Sequence, residues 1–403
     1  MSGERVTELV LVANARMPSE RAQSLQVAQA AAAFARKLER VTLLYADRRD
    51  TPALPAGEDL WSYYSVPAQV RPQARGVPCS DWIDRAPRAL QYLPARLQEL
   101  TFARNAARIV RREFADAVVL TRELETARAL RGRPGVFLEL HRVPGGRLRR
   151  RWLLAAAETA AGTLAISGGV RADLVALGLC EDAIRVEHDA FEPGRFDAAP
   201  GRADARRELE LPADAKIVVY TGGLLAWKGV DVLVEAARGL PEVQFAIAGG
   251  MDADVARLRA RARGLANVRI DGFQPPARVA LYLAAANVGV VPNRSRPAIS
   301  ARYTSPLKVF EAMAAGLPLV ASDLPSLRAI LSDEEAVFVA PDEPGALAAG
   351  LTRLLGDDGL RERLAGAMRA RAAEHTWDAR TERILHWMDE RRAASTVRVR
   401  ARA

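Results

Sequence analysis

A chain of 403 residues is long for one hydrophobic core and suits two domains of about 150–200 residues each. With 49% apolar and 27% charged residues, its composition is that of a folded protein and excludes a disordered chain. Its two cysteines exclude a disulfide framework, and its net charge of +9 favours anionic partners.

The chain starts with an acidic segment that leads directly into a strand, MSGERVTELVLVANA, which argues against a secretory signal. The most apolar stretches, residues 152–166 and 279–292, are shorter than the ~20 residues that a membrane-spanning helix needs. We therefore expect a cytoplasmic protein that contacts a membrane only peripherally, at its inner face.

Short apolar strands alternate with helices along the whole chain. The predicted strands are 8–13, 41–45, 116–120, 136–140 and 163–166, then 216–221, 243–248, 268–271, 288–292 and 318–321. Helices are predicted between them, for example at 24–38, 229–239, 253–263 and 306–315. This alternation is typical of parallel sheets covered by helices on both faces. The predicted fold class is α/β, with two doubly wound, Rossmann-like domains facing a central cleft.

A segment rich in Pro, Gly, Ala and charge, residues 192–215, separates the two series of strands. We predict an N-terminal domain over 1–197 and a C-terminal domain over 198–378, with a last helix, 379–403, that packs back on the first domain. Doubly wound sheets bind ligands past the carboxyl ends of their strands. The strand-to-helix turns are therefore the places to look for functional residues.

Residues 68–151 hold 18 arginines against 8 acidic residues, so the rest of the chain is close to neutral. Apolar residues recur there at helical spacing between the arginines. Such a surface indicates an anionic partner, which is a membrane, a nucleic acid or a phosphorylated substrate. A solvated arginine-rich face explains the composition equally well. Of the partners, we favour peripheral contact with an anionic membrane and expect no nucleic acid.

The stretch VVYTGGLLAWKGVDVLVEA, residues 218–236, reads as a strand, a glycine turn and a helix. Gly222 and Gly223 allow backbone N–H groups to approach an anion, and Lys228 precedes the helix, whose positive end favours phosphate. The spacing is not that of a P-loop. A tight turn with a surface lysine is the structural alternative.

The stretch TSPLKVFEAMAAGLPLV, residues 304–320, is the stronger candidate. Only four of the 58 basic residues are lysines, and one of them, Lys308, lies three residues before Glu311. Ser305 is predicted as the N-cap and Pro306 as the first helical residue, with Gly316 ending the helix. The first turn would offer N–H groups and a lysine to a diphosphate, while Glu311 would accept hydrogen bonds from hydroxyl groups. A helix braced by an i, i+3 salt bridge is the alternative.

Asp252 and Asp254 have the D-x-D spacing that can hold a divalent cation. They directly follow FAIAGGM and open a helix, where carboxylates stabilise the N-terminus. We therefore interpret them as helix-terminal residues and predict no metal site.

With these motifs in order, the chain resembles the GT-B-fold, retaining glycosyltransferases of family four, also called glycosyl transferases group 1. The resemblance rests on YTGGLLAWKGVDVLVEA, FAIAGG, VRIDGF, ANVGVVPN and TSPLKVFEAMAAGLPLVASDLPSLRAIL, and extends to ANARMPSERAQSLQVAQAAAAFA, ELHRVPGG and LAISGGVRADLVALG in the first half. It implies a metal-independent transfer of a sugar from a nucleotide-sugar to a sugar or lipid-linked acceptor, in polysaccharide or glycoconjugate biosynthesis. The nucleotide-sugar is a substrate, so no cofactor is implied.

Carried across by position, Glu311 matches the acid that holds the donor ribose, and Lys228 matches the lysine that neutralises the diphosphate. His141 matches a histidine that faces the transferred sugar, which makes Lys228 and His141 the implied catalytic residues. The implied donor-binding residues also include Gly222, Gly223 and the 303–308 loop, that is Tyr303, Ser305, Pro306, Leu307 and Lys308.

The chain departs from the family pattern in two places that matter for function. The arginine often found after the first glycine turn is missing, since Gly223 and Leu224 occupy that neighbourhood. The family commonly carries a first acid eight residues before the second, and Tyr303 occupies that position here. This puts the donor sugar in doubt. A non-catalytic nucleotide-sugar-binding protein and a GT-B nucleotide-sugar epimerase are therefore alternatives to a hexosyltransferase.

Overall fold

The computed structural model describes residues 5–400, which form two compact units. Unit 1 comprises the chain up to Ile166, residues Val170–His188 and the segment from Trp377 onward. Unit 2 comprises Ser167–Gly169 and Asp189–Thr376. Of the predicted last helix, residues 401–403 lie outside the described residues. The predicted domain limits, 1–197 and 198–378, remain predictions about independent folding.

Unit 1 is built on a seven-stranded parallel sheet with the strand order β3-β2-β1-β4-β5-β6-β7. Its strands are β1 (Glu8–Arg16), β2 (Arg40–Asp47), β3 (Gln73–Pro78), β4 (Val118–Thr121), β5 (Val136–Leu140), β6 (Gly162–Ala165) and β7 (Ile184–Val186). The helices between these strands are α1 (Ala22–Ala35), α2 (Leu60–Tyr63), α3 (Tyr92–Glu113), α4 (Leu124–Ala129), α5 (Arg147–Ala157) and α6 (Gly168–Ala176).

Unit 2 is built on a six-stranded parallel sheet with the order β10-β9-β8-β11-β12-β13. Its strands are β8 (Lys216–Thr221), β9 (Val243–Ala248), β10 (Val268–Gly272), β11 (Val288–Val291), β12 (Leu319–Ser322) and β13 (Ala336–Val339). Its helices are α7 (Gly194–Asp197), α8 (Arg202–Glu208), α9 (Val230–Arg238), α10 (Asp252–Arg261), α11 (Pro276–Ala285), α12 (Leu307–Ala315), α13 (Pro325–Arg328), α14 (Pro344–Gly356) and α15 (Asp358–Ala372). Helix α16 (Trp377–Arg400) belongs to unit 1.

The central strands are buried on both faces, which is why they are continuous apolar runs. Every residue of β4, β5, β11 and β12 is buried. In unit 2, two separate apolar clusters cover the two faces of the sheet: Val219 and Val291 belong to one, Val218 and Val290 to the other. The two parallel sheets confirm the predicted α/β class.

The sequence did not predict β3, β7 or β13. Strand β3, QARGVP, buries only one of its six residues, and β7 is three residues long. All three are edge strands, with a neighbour on one side only. An edge strand needs little apolar patterning, so β3 and β7 leave a weak signal in the sequence. Strand β13, AVFV, is apolar throughout, and the prediction missed it although that signal was present.

The order of strands in unit 2 reverses at β8. From β8 the chain adds β9 and β10 on one side, then returns to place β11 on the other side. The turns that follow β8 and β11 therefore flank a crevice at the carboxyl edge of the sheet, where doubly wound folds bind ligands. These turns begin at Gly222 and Pro292. Within residues 5–400, no helix is both long enough and apolar enough to cross a bilayer.

Arg133 ties the loop before β4 to the loop before β5 in unit 1. Its guanidinium donates to the carbonyl oxygens of Phe114, Ala115, Ala117 and Pro134 at 2.5–3.1 Å. We expect Arg133→Met to lower the free energy of unfolding in urea by about 2–3 kcal/mol, because it leaves several carbonyl groups unsatisfied. Arg131→Met is the control, since Arg131 is exposed and its pairing with Glu158 is long, at 3.5 Å. Equal losses in both variants would contradict the bridging role.

Candidate functional site

The crevice of unit 2 starts with two glycine turns whose backbones touch. Gly222 follows β8 with φ +121°, and its N–H donates to the carbonyl of Ala248 at 2.9 Å. Gly249 follows β9 with φ +122°, and a Cβ there would lie 2.3 Å from the oxygen of Gly222. Neither position tolerates a side chain, so the backbone at this edge stays open to a ligand.

Lys308 is the central cation of the site. It lies in the first turn of α12 and its side chain is buried, with Nζ 3.3 Å from the centre of the Tyr220 ring and its terminal carbon beside Gly222. Among the described residues, none accepts a hydrogen bond from this Nζ. The i, i+3 salt bridge to Glu311 is therefore not formed. Burial, and secondly the charge of Lys228, hold the pKa of Lys308 well below its usual value, against the opposing effect of Glu311.

Lys228 is the second cation. It ends a short 3₁₀ turn, Ala226–Lys228, and Gly229 follows with φ +68°, packed so closely on the carbonyl of Pro292 that a Cβ would lie 1.8 Å away. Its Nζ is 4.7 Å from the Trp227 ring centre. Burial lowers the pKa of Lys228 to about 8, partly opposed by Asp189.

The two lysines lack a counter-ion within the part of the chain that the structure describes. Neither forms an ion pair with a carboxylate there, and the charge of Lys228 disfavours protonation of Lys308. Two neighbouring ammonium groups in a partly dehydrated crevice are costly unless an anion joins them. This arrangement favours binding of a multiply charged anion.

Glu311 is held by Arg195, a residue that the sequence analysis missed. Arg195 lies on α7; its Nη1 donates to Glu311 Oε1 at 3.1 Å, and its Nη2 donates to the carbonyl of Pro276 at 2.7 Å. Both side chains are buried, at 6% and 10% exposure. Within the described chain Oε2 of Glu311 receives no hydrogen bond, which leaves an acceptor for a ligand. Arg195 is separated from Glu311 by 116 residues, so no local spacing reveals the pair.

The start of α12 differs from the prediction. Ser305 is not its N-cap, because Ser305 Oγ accepts a hydrogen bond from the backbone N–H of Asp189 at 2.8 Å. Pro306 is the boundary residue with extended backbone, Leu307 is the first helical residue, and no side chain caps the helix. The N-terminal N–H groups are thus left without a side-chain cap, which suits anion binding. Gly316 ends the helix in the left-handed conformation, as predicted.

Tyr303 ends a π-helical turn, Ile299–Tyr303, at the carboxyl edge of the unit 2 sheet. Its ring is partly buried and lies 5.7 Å from the guanidinium of Arg302. This turn connects β11 to α12, where the sequence analysis placed the donor-binding loop.

His141 directly follows β5 in unit 1. Its Nε2 bonds Glu139 Oε1 at 2.7 Å and its Nδ1 lies 3.1 Å from Nη2 of Arg122. Burial, followed by the charge of Arg122, lowers the pKa of His141 to about 4, so the ring is neutral at pH 7. Arg122 then donates to Nδ1, and Nε2–H donates to Glu139. Both ring nitrogens are therefore engaged within unit 1.

Asp252 and Asp254 lie in the first turn of α10, and Asp254 pairs with Arg257 at 2.6 Å. In the described chain, no group of three or more His, Cys, Asp or Glu side chains is placed to hold a metal ion. The expectation of a metal-independent protein stays a prediction.

Comparison with known proteins shows what this chain is similar to. Residues 201–371, which lie within unit 2, match the family described as Glycosyl transferases group 1. A D-inositol 3-phosphate glycosyltransferase of Xylanimonas cellulosilytica is 34% identical over 208 residues, 50% of this chain and 48% of that protein. A phosphatidyl-myo-inositol mannosyltransferase of Mycobacterium tuberculosis is 34% identical over 194 residues, 45% of this chain and 49% of that protein. The chain thus spans about half the length of the curated relatives it matches.

Solved structures are similar to this chain over nearly its whole length at low sequence identity. Sucrose-phosphate synthase from Thermosynechococcus elongatus has a TM-score of 0.77 at 20% identity, covering 96% of this chain and all of that one. HepE from Anabaena, solved with UDP, has a TM-score of 0.72 at 15% identity, covering 95% and 100%. These likenesses confirm the GT-B fold, and the family match confirms the resemblance read from the motifs.

Substitution of Lys308 tests whether this lysine stabilises α12 or is held in the site to bind an anionic ligand. We expect Lys308→Met to raise the free energy of unfolding by about 1–3 kcal/mol at pH 7, because it removes a buried amino group that has no acceptor and whose charge is disfavoured by burial. Since the folded-state pKa is lowered, the wild-type penalty is complete below that pKa and disappears as pH rises towards the unfolded value of about 10.4. The gain should therefore shrink between pH 7 and pH 9.5.

The control is Lys216→Met, because Lys216 is exposed and should be close to neutral in its effect on stability at every pH. Urea unfolding of the three proteins measures the difference. A destabilised Lys308→Met protein would instead indicate that the lysine braces the helix.

Proposed function

We propose that this GT-B protein of the glycosyl transferases group 1 family moves a hexose from a nucleotide-sugar donor to a sugar or lipid-linked acceptor. The observation that carries the proposal is the pair of lysines, without counter-ions in the described chain, at the strand-order reversal of unit 2. They adjoin an uncapped helix N-terminus and a buried carboxylate with a free oxygen. This is a set of partners for a diphosphate joined to a ribose. HepE, which shares the fold, was solved with UDP.

The diphosphate and the ribose of the donor would occupy successive parts of the crevice. Its diphosphate would lie over the Gly222–Gly223 turn, between Lys228, Lys308 and the start of α12. Glu311 would accept from the ribose hydroxyls through Oε2, while Arg195 keeps Oε1 and the orientation of the carboxylate. Donor phosphate would satisfy the Nζ of Lys308 and raise the pKa of both lysines, because an adjacent anion stabilises the protonated form.

The chemistry that we propose is transfer with retention of configuration and without a metal. The leaving diphosphate would accept the proton of the acceptor hydroxyl on the same face of the sugar, so that no protein nucleophile is needed. Negative charge grows on the diphosphate as the glycosidic bond breaks, and Lys228 with the α12 N-terminus would stabilise it. Electrostatic stabilisation by groups already held in place commonly contributes more to enzymatic rate enhancement than any other effect.

The acceptor would be presented by unit 1. The relatives are named for inositol 3-phosphate and phosphatidyl-myo-inositol, which supports a polar, phosphate-bearing class of acceptor. His141, neutral at the end of β5, is the proposed contact with the transferred sugar. Because both its nitrogens are bonded, it would exchange one partner to bind a sugar hydroxyl. A cytoplasmic location is part of this proposal.

Tyr303 supports a second candidate function. It stands where the family has an acid that contacts the donor sugar, so a protein that binds the nucleotide-sugar without turnover fits the same site. Incubation with UDP-, GDP- and ADP-sugars, with and without acceptor, separates the two. Transfer or slow hydrolysis supports the enzyme, whereas tight binding without turnover supports the binding protein.

The role of Glu311 is tested by Glu311→Gln. This variant keeps the shape but loses charge-assisted acceptance from the ribose, worth about 1.5–3 kcal/mol, so we expect roughly 10- to 150-fold weaker UDP binding by calorimetry. Glu362→Gln, an exposed substitution in the same unit, should bind as the wild type does. Unchanged affinity in Glu311→Gln with an unchanged melting temperature would place the nucleotide elsewhere.

Lys228→Ala should lower turnover more than donor affinity, since the negative charge on the leaving diphosphate that Lys228 would stabilise grows in the transition state. Wild-type UDP affinity should decline as pH rises above about 8, where free Lys228 loses its proton, and the decline should be smaller in the variant, in which only Lys308 still takes up a proton on binding. Binding at pH 7, 8 and 9 measures both effects. Lys216→Ala is the control for the loss of one positive charge. Parallel pH profiles in wild type and Lys228→Ala would contradict the assigned contact.

A further inference from the structure

Exposed apolar side chains are concentrated in one part of unit 1. Among the described residues nine large apolar side chains are exposed, and seven of them lie in residues 82–100 or at position 148. Leu93 and Tyr92 are 74% and 71% exposed. We call this set the apolar rim; its members are Trp82, Leu90, Tyr92, Leu93, Leu97, Leu100 and Leu148.

The apolar rim lies at the carboxyl edge of the unit 1 sheet. Helices α3 and α5 begin after β3 and β5 end, so the first turns of both helices are at this edge. Glu125 of α4 joins them, because it accepts from Arg96 of α3 at 3.1 Å and from Arg149 of α5 at 2.9 Å. Leu97 and Leu148 are the chain neighbours of these two arginines. The rim is therefore one surface rather than scattered side chains.

An arginine groove continues from the rim between α3 and α4. It has a volume of about 640 Å³, and its lining includes five arginines: Arg104, Arg108, Arg111, Arg112 and Arg128. All five are exposed, and none forms an ion pair within the described chain. Arg128 stacks on Trp152 at 4.1 Å, and Glu125, the acidic residue of the lining, is already bonded to Arg96 and Arg149. The groove therefore carries uncompensated positive charge.

We propose that the apolar rim and the arginine groove form a docking surface for an anionic lipid bilayer. Leucines with an exposed Trp and Tyr suit the boundary between headgroups and acyl chains, where such rings have one apolar and one polar side. Arginine binds lipid phosphate with two parallel hydrogen bonds. A nucleic acid or a soluble polyanion would use the arginines but would leave the seven apolar side chains in water. The combination of both therefore selects a membrane.

Docking would serve acceptor capture, a consequence that rests on the proposed function. His141 also lies at the carboxyl edge of this sheet, because it directly follows β5. A bilayer held by the rim would bring a lipid-linked acceptor to the edge that carries the proposed sugar contact. The docking itself requires no donor and no turnover.

Sedimentation of the full chain with vesicles tests the proposal. The vesicles are phosphatidylcholine alone or mixed with phosphatidylglycerol, in low salt and again in about 0.5 M salt, where screening is strong. The charge variant is Arg108→Glu/Arg111→Glu, and the apolar variant is Leu93→Ser/Leu97→Ser. The matched control, Arg353→Glu/Arg363→Glu, makes the same change in net charge with two exposed arginines of unit 2.

We expect binding to the anionic vesicles only, and loss of most of it in high salt. The charge variant should bind at least about 30-fold more weakly, which corresponds to about 2 kcal/mol for two arginines near the surface. The apolar variant should also bind at least tenfold more weakly, whereas the matched control should keep most of the wild-type binding. Melting temperatures close to wild type show that the variants are folded.

Equal weakening in the charge variant and the matched control would overturn the proposal, since net charge alone would then explain binding. An unaffected apolar variant would overturn it in favour of a soluble polyanion, as would binding to heparin without binding to vesicles. Glu311→Gln keeps the rim and groove intact and should bind vesicles as the wild type does. A failed transfer assay with normal docking, or the reverse, therefore separates this proposal from the proposed function.

Discussion

The site of unit 2 depends on Lys308, a buried lysine whose amino group finds no acceptor in the described chain. Lys308 extends from the first turn of α12 across the face of Tyr220 to the backbone at Gly222. Burial disfavours its charge, and the neighbouring Lys228 disfavours it further. A fold that only needed to brace this helix would place the lysine in solvent or against a carboxylate. The arrangement instead favours binding of an anion.

The carboxylate that could have neutralised Lys308 has another partner. Glu311 is three residues away on the same helix, yet it bonds Arg195, and Arg195 is also fixed by the carbonyl of Pro276. The site therefore keeps Lys308 and Glu311 on one helix without an ion pair between them. This separation allows one ligand to meet a cation with its phosphate and an acceptor with its hydroxyl groups.

The two units carry their positive charge in different ways. In unit 2, Lys228 is partly buried and Lys308 is buried, and both lie close to backbone turns, so this pair suits a small ligand of defined shape. In unit 1 the arginines of α3 and α4 are exposed along a groove and stand beside apolar side chains. Such a surface has little shape selectivity but a large area, which suits an extended partner. The net charge of +9 is thus divided between two different kinds of surface.

The sequence by itself determined the α/β class, the alternation of strand and helix, the glycine turn at Gly222 and the helix end at Gly316. These depend on local periodicity and on backbone conformations that only certain residues adopt. Its motifs also located Lys308 and Glu311, which lie one turn apart. Strand β3 was not predicted, because an edge strand with a single neighbour needs little apolar patterning.

The tertiary structure decided which side chains meet. Ser305 has the residue type of an N-cap, but its hydroxyl oxygen accepts a hydrogen bond from the backbone N–H of Asp189, 116 positions away, and does not cap the helix. Arg195 meets Glu311 over the same separation. Arg96 of α3 and Arg149 of α5 both bond Glu125 of α4 because these three helices pack side by side. Contacts between distant residues depend on the order of strands in the sheet, and hydrophobic patterning along the chain does not encode that order.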